Sequence, residues 1–197
     1  MQLFLTDRKL ERRVTEAQKY RYRDVLDLEE FLVCQDEQGV VNPQVPTDHE
    51  GWETMSLGDR WEGRDKYLWM YKKIHIPKEW EGRRALGIFD FGNTGAGNNS
   101  GFEAMCYVNG KPYQGVDVNH KEVFFSPELY GQDVELTFRL WSGLEGGGVP
   151  RIQEHRIRQA QLAWLDEKAD DFYYMGSLIL DTLANLEDGN PVKYELR

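Results

Sequence analysis

The pair Asn109-Gly110 is the strongest local constraint in this chain. It separates an apolar run, Phe102 to Val108, from a more polar one, Lys111 to His120. Asn and Gly take up positive φ angles at low steric cost, and the two-residue turns whose twist matches a β-ribbon require such angles. The flanking runs are therefore read as a hairpin. The same period of two recurs downstream, where Val134, Leu136, Phe138 and Leu140 alternate with Glu135, Thr137, Arg139 and Trp141. That alternation describes a strand buried on one face only. From Trp61 to Leu165 short runs of this kind follow one another, punctuated by Gly, Pro and Asn, with no helical period between them. Strands in series without crossover helices pair antiparallel and pack as a β-sandwich.

Two helices are expected outside that block. Leu10, Val14 and Ala17 share one face of a helix near residues 6–20, with Thr6 or Asp7 available as its cap. Phe172, Met175, Ile179, Leu183 and Leu186 form a longer stripe, with Asp170 placed to cap its start and Gly189 and Pro191 to end it. Tyr173, Tyr174, Leu178 and Leu180 broaden this stripe beyond a single face, which predicts burial on more than one side and hence self-association. Gly176 within it predicts a close helix approach. Residues 35–60 carry Gly39, Pro43, Pro46, Gly51 and Gly58 among polar side chains, a connector composition. The expected organisation is 1–60 as N-terminal helix and connector, 61–165 as sandwich, and 166–197 as C-terminal helix.

A chain of 197 residues buries about 70% of its unfolded surface, enough for a core without staples. Cys34 and Cys106 lack metal or redox spacing and are read as buried, inert thiols. The net charge of −10 opposes a nucleic-acid partner, which requires a basic stripe. The basic residues between Arg8 and Arg23 are interleaved with Asp7, Glu11, Glu16 and Asp24 and are read as a solvated helix face. No charged-then-apolar leader begins at Met1 and no apolar run is long enough to span a bilayer. A cytoplasmic location without a membrane partner is the expectation. Aromatic residues make up 13% of the chain. Such enrichment suits proteins that stack sugar rings, but a large sandwich core needs aromatics too, and the core is the preferred account.

Candidate sites are few. Gly92 to Gly101 is rich in Gly and Asn but lacks the third glycine of a dinucleotide loop and the Gly-Lys-Ser/Thr of a phosphate loop. Its Asn98 offers both a donor and an acceptor to a hydroxylated ligand. His120-Lys121-Glu122 resembles part of a deaminase zinc motif, but no Pro-Cys-x-x-Cys accompanies it. Glu103, Asp117 and His120 lie on or beside the predicted hairpin, where they either hydrogen-bond sugar hydroxyls or tie the hairpin to its neighbours. No carboxylate pair stands out as a glycosidase acid and base among 34 acidic residues. Gly143 to Gly148 is too flexible to place a catalytic group and suits a loop that orders against a partner. The four histidines, at 49, 75, 120 and 155, form no metal-binding pair.

Glu103-Ala104-Met105, Tyr107-Val108-Asn109-Gly110, Pro112, Gln114-Gly115, Asp117 and His120 resemble the signature of the N-terminal domain of bacterial and cytosolic-type α-mannosidases of glycoside hydrolase family 38. Tyr67 to Tyr71, Ile74-His75-Ile76-Pro77, Trp80-Glu81-Gly82 and Gln161 to Leu165 follow in family order. The resemblance implies a galactose-binding-like jelly-roll and an accessory role in an enzyme that removes terminal α-linked mannose from glycans. It also implies that the chemistry belongs to a separate α/β barrel, where a His-x-His-x-Asp stretch holds a divalent metal, zinc by preference, and an Asp is the nucleophile. No His-x-His pair occurs here, so no catalytic residue, metal ligand or cofactor is expected in this chain. The expected partners are that barrel, a glycan substrate and a second copy of the protein. Asn98, Glu103, Asp117 and His120 are the candidate carbohydrate-binding residues. An independent carbohydrate-binding module or a structural interaction domain is the rival reading.

Overall fold

The computed structural model describes residues 2–92, 101–144 and 151–196, with side chains from Thr6 onward. In chain order it contains α1 (Gln2–Gln18), β1 (Tyr22–Asp27), β2 (Glu30–Asp36), β3 (Glu53–Ser56), β4 (Arg60–Gly63), β5 (Tyr67–His75), β6 (Arg84–Asp90), β7 (Glu103–Val108), β8 (Lys111–Asp117), β9 (Glu122–Phe124), β10 (Asp133–Trp141), β11 (Gln153–Arg156), β12 (Gln159–Leu165), α2 (Glu167–Asn185) and α3 (Pro191–Glu195). The strands form a six-stranded sheet in the order β3-β2-β5-β10-β7-β8, a four-stranded sheet in the order β1-β12-β6-β9, and the small pair β11-β4. The fold is mainly β, a jelly-roll sandwich with open sheets and a helix toward each end of the chain.

Two compact units are present, Val25–Ala163 and a second composed of Met1–Asp24 with Trp164–Arg197. The stretch read as helix and connector holds three strands, β1 to β3, and β2 sits inside the six-stranded sheet. Composition marked only the interval between β2 and β3 correctly as irregular, because Phe31 and Val33 of β2 are core residues in a run too short to stand out.

In the sandwich unit, β10 lies between β5 and β7, and Phe138 pairs in register with Met70 and Cys106. Val134, Leu136, Phe138 and Leu140 have no exposed surface, so the predicted alternation is realised. Phe138 sits 4.6 Å from Phe89 and 5.0 Å from Phe91, and Phe91 packs edge-on to Phe102 and Phe31. These phenylalanines fill the core, whereas other aromatics, such as Tyr67, Trp141 and Phe172, are partly or largely exposed. The hairpin forms as read, with φ of 50° at Asn109 and 74° at Gly110, both in the left-handed region that the turn demands. Asn109 Oδ1 accepts from the Glu135 amide at 2.9 Å, fastening the turn to β10. Pro112 is accommodated because β8 is an edge strand.

In the helical unit, α1 packs on α2 at Gly176, where a Cβ atom would collide with Val14 Cγ2. The predicted close approach is found. Gly176 and Leu183 form the buried face of α2, whereas Phe172, Met175 and Leu178 remain exposed. The start of α2 differs from expectation. Its cap is Asp166, whose side chain accepts from the Ala169 amide, and Asp170 in the first turn pairs instead with Arg21 at 2.6 Å. Arg21 lies 4.9 Å from each of the Tyr22, Tyr173 and Tyr174 rings, a cation–π setting that only the folded helical unit creates. Likewise α1 begins at Gln2, so Thr6 and Asp7 lie within it rather than at its cap. Pro191 opens α3 with Asn190 as cap.

Candidate functional site

The outer face of the six-stranded sheet is where the predicted residues meet. Strand register sets Asp36, Tyr67, Trp141, Glu103 and Asp117 side by side, one from each of β2, β5, β10, β7 and β8. Two residues along, a second row reads Cys34, Trp69, Arg139, Met105 and Gly115. Residues directly opposite on one face of a sheet have Cβ atoms about 5 Å apart, so both rows are continuous surfaces of side chains.

Arg139 anchors this face. Its Nε donates to Asp36 Oδ2 at 2.8 Å, and its guanidinium lies 4.1 Å from the Tyr67 ring centre and 5.7 Å from that of Trp69. The Arg139 side chain is 10% exposed and that of Asp36 is 6% exposed. Asp36 Oδ1 accepts in turn from the amides of Gln38 and Gly39. Arg139 Nη2 lies 2.7 Å from the same Asp36 oxygen but outside hydrogen-bond alignment, leaving it a buried donor with no hydrogen bond among the described residues. Trp141 is fixed differently, by donating from Nε1 to Asp65 Oδ1 at 2.9 Å.

Glu103 and Asp117 are brought together as register partners, and both line a cavity of about 360 Å³ with Asn119, Trp141 and Gly143. Their roles diverge. Asp117 Oδ1 accepts from the amides of Asn119 and His120, and His120 Nδ1 lies 3.0 Å from both carboxylate oxygens. Burial by itself would raise the Asp117 carboxyl, but these hydrogen bonds outweigh it and hold the group below the ordinary aspartate value. Asp117 and His120 therefore organise the turn after β8, and His120 itself points into solvent, its side chain 71% exposed. Glu103 is exposed and has no hydrogen bond or ion pair among the described residues. Asn98 falls outside the described residues.

The neighbourhood missed from sequence is Trp141, Tyr67 and Arg139. The alternation of β10 placed Arg139 and Trp141 on the outer face, and only strand pairing brought Tyr67 and Glu103 beside them. No group of three or more His, Cys, Asp or Glu among the described residues could hold a metal ion. Of the two cysteines, Cys106 is buried and its thiol is pushed up to about 12 by burial, while Cys34 is partly exposed, so only one fits the expected buried, inert thiol.

Residues 32–140 match the family model described as alpha-mannosidase, jelly roll domain. The chain belongs to that family. A search of curated proteins finds no match. Among solved structures, a β-glucuronidase of Bacteroides uniformis superposes with a TM-score of 0.51 at 13% identity, over 72% of this chain and 18% of the enzyme. A Faecalibacterium prausnitzii β-glucuronidase gives 0.51 at 12% identity, over 72% of this chain and 31% of the enzyme. At such identity the likeness concerns the fold alone, and this chain spans less than a third of either enzyme. No helix among the described residues is long and apolar enough to cross a membrane.

Proposed function

We infer that this chain is the accessory jelly-roll domain of an α-mannosidase acting on terminal α-linked mannose of glycans, with nucleophile and zinc carried by a catalytic barrel outside these residues. The carrying observation is the family match across 32–140, which spans most of the sandwich unit. Docking to the barrel and self-association are assigned to the exposed face of α2, where Phe172, Met175 and Leu178 are 48%, 60% and 61% exposed. Three large apolar side chains on one helix face suit a contact surface. Shaping of the substrate entrance is assigned to the rim bearing Glu103 and Asp117. A cytoplasmic setting belongs to the same reading, through the cytosolic-type resemblance.

The test is hydrolysis of an aryl α-mannoside by the product of the full natural reading frame and, separately, by residues 1–197. The expected result is metal-dependent turnover by the first and none by the second. Turnover by residues 1–197 after rigorous purification, or a full product inert toward every α-mannoside, overturns the reading. The rival is a free-standing carbohydrate-binding module, favoured by the cavity beside Glu103. A reading frame that closes at Arg197 would decide for it.

A further inference from the structure

We propose that the outer face of the six-stranded sheet carries a binding site for a neutral pyranose disaccharide, straddling Trp141 and Glu103. This site is the chain's own and does not rest on the mannosidase reading. Trp141 and Glu103, neighbours in the cross-strand row, line two cavities at once. One, an open depression of about 560 Å³, extends over Tyr67, Met105, Tyr107 and Arg139 and is lined also by Asn42 and Pro43. The other, of about 360 Å³, continues past Glu103 to Asp117 and Asn119. Both fall in the range that small-molecule sites occupy, roughly 300–1,000 Å³. Each accommodates one sugar ring, and the shared ridge makes them adjacent.

The chemistry of the lining selects the ligand. Trp141 and Tyr67 stand next to each other in register and are only partly buried. Tyr67 already carries the Arg139 guanidinium over its ring, which leaves the Trp141 indole as the stacking partner for the polarised C–H bonds of a pyranose. The hydrogen bond to Asp65 fixes the indole in advance, so little side-chain entropy is lost on stacking. Glu103 supplies a carboxylate that accepts from two hydroxyls and has no partner among the described residues. Its register partner Asp117 already accepts from the Asn119 and His120 amides, so Glu103 is the carboxylate of the pair left to take up donors. Sugar hydroxyls are such donors.

Charge sets the sign of the preference. Arg139, the cation of the larger cavity, is already neutralised by buried Asp36. An anionic sugar would meet Glu103 and Asp117 with no uncommitted cation among the lining residues. Uronates are excluded on that ground, although β-glucuronidases are among the enzymes whose fold this chain shares.

The experiment follows the indole N–H resonance of Trp141 by NMR in the full chain, assigned with Trp141→Phe. Mannobiose, cellobiose and lactose are titrated, with glucuronic acid in parallel. At least one neutral disaccharide should shift Trp141 saturably, with a Kd of about 1 mM or tighter. Glu103→Gln should weaken that affinity about tenfold, the loss expected for a charge-assisted hydrogen bond, with the fold unchanged by circular dichroism. Trp141→Ala should abolish binding, and glucuronic acid should produce no shift. The proposal is overturned if no neutral disaccharide moves Trp141, if binding survives Trp141→Ala, or if glucuronic acid binds as tightly as the neutral sugars. An active α-mannosidase whose groove stays silent sinks this inference alone. Groove binding in a full-length product that cleaves no mannoside sinks only the mannosidase reading.

Discussion

Along β10 the inner face carries Val134, Leu136, Phe138 and Leu140, none with exposed surface, while the outer face carries Glu135, Thr137, Arg139 and Trp141. Both faces are aromatic, but the aromatics differ in what surrounds them. Phe89, Phe91, Phe102 and Phe138 touch one another and bring no polar atoms. Tyr67 and Trp69 flank the Arg139 guanidinium, Tyr107 and Trp141 line the same cavity as Arg139, and each of the four carries a polar handle. The inner face is uniform and closed, so its residues matter by volume. The outer face is a mixed surface beside open cavities, so its residues matter by the polar atoms they orient. The same pleat thus provides stability on one side and a recognition surface on the other.

The largest expected effect tests the inner face. Phe138→Ala removes the centre of the aromatic cluster and should cost about 4 kcal/mol in urea unfolding, whereas Trp141→Ala, at the strand end, should cost about 1 kcal/mol. Equal losses would erase the distinction between the faces. Next is a place where the outer face resembles a core, the Asp36–Arg139 pair. Asp36→Asn leaves a buried guanidinium uncompensated and should cost about 3 kcal/mol, while Asp36→Leu with Arg139→Met should recover most of that loss. A double variant no better than the single would show that the pair itself contributes net stability.

His155 sharpens the contrast through pH. It is buried, stacked on Trp61 at 4.2 Å, and its Nε2 donates to the Ser142 carbonyl at 2.8 Å. Burial holds this imidazole below the ordinary histidine value. The unfolded chain takes up a proton near pH 6.5, roughly, while folded His155 resists it. The unfolded state therefore binds more protons below that point, and stability should fall as pH drops from there, by no more than about 1.4 kcal/mol per pH unit. His155→Gln should flatten this segment of the stability profile relative to wild type, and parallel profiles would remove His155 from the account. The smallest effect compares the two thiols, which lie on opposite faces. Cys34, partly exposed on the outer face, should react with one equivalent of a thiol reagent in the native protein, and Cys106 only after unfolding. Two equivalents under native conditions would mean that the inner face opens locally.

Much of this was already written in the sequence. Asn109-Gly110 determined its hairpin because few other pairs accept those φ angles, and the alternation in β10 determined which of its side chains turn inward. Gly176 announced the contact with α1, and the family-like residues around the hairpin pointed to a jelly-roll domain that residues 32–140 match. Local chemistry was enough in each case. What the sequence could not state was adjacency across strands. Tyr67, Glu103 and Trp141 are far apart along the chain and become neighbours only through the β5-β10-β7 register. The same pairing decided that Arg139 is a buried cation rather than a surface one, because its partner Asp36 comes from β2. The division of roles between Asp117, committed to its own turn, and Glu103, left open, also came from the fold. A residue's type and its neighbours along the chain fix its backbone preference and its facing, whereas hydrogen-bond partners and cavities depend on strand order, which is a property of the assembled sheet.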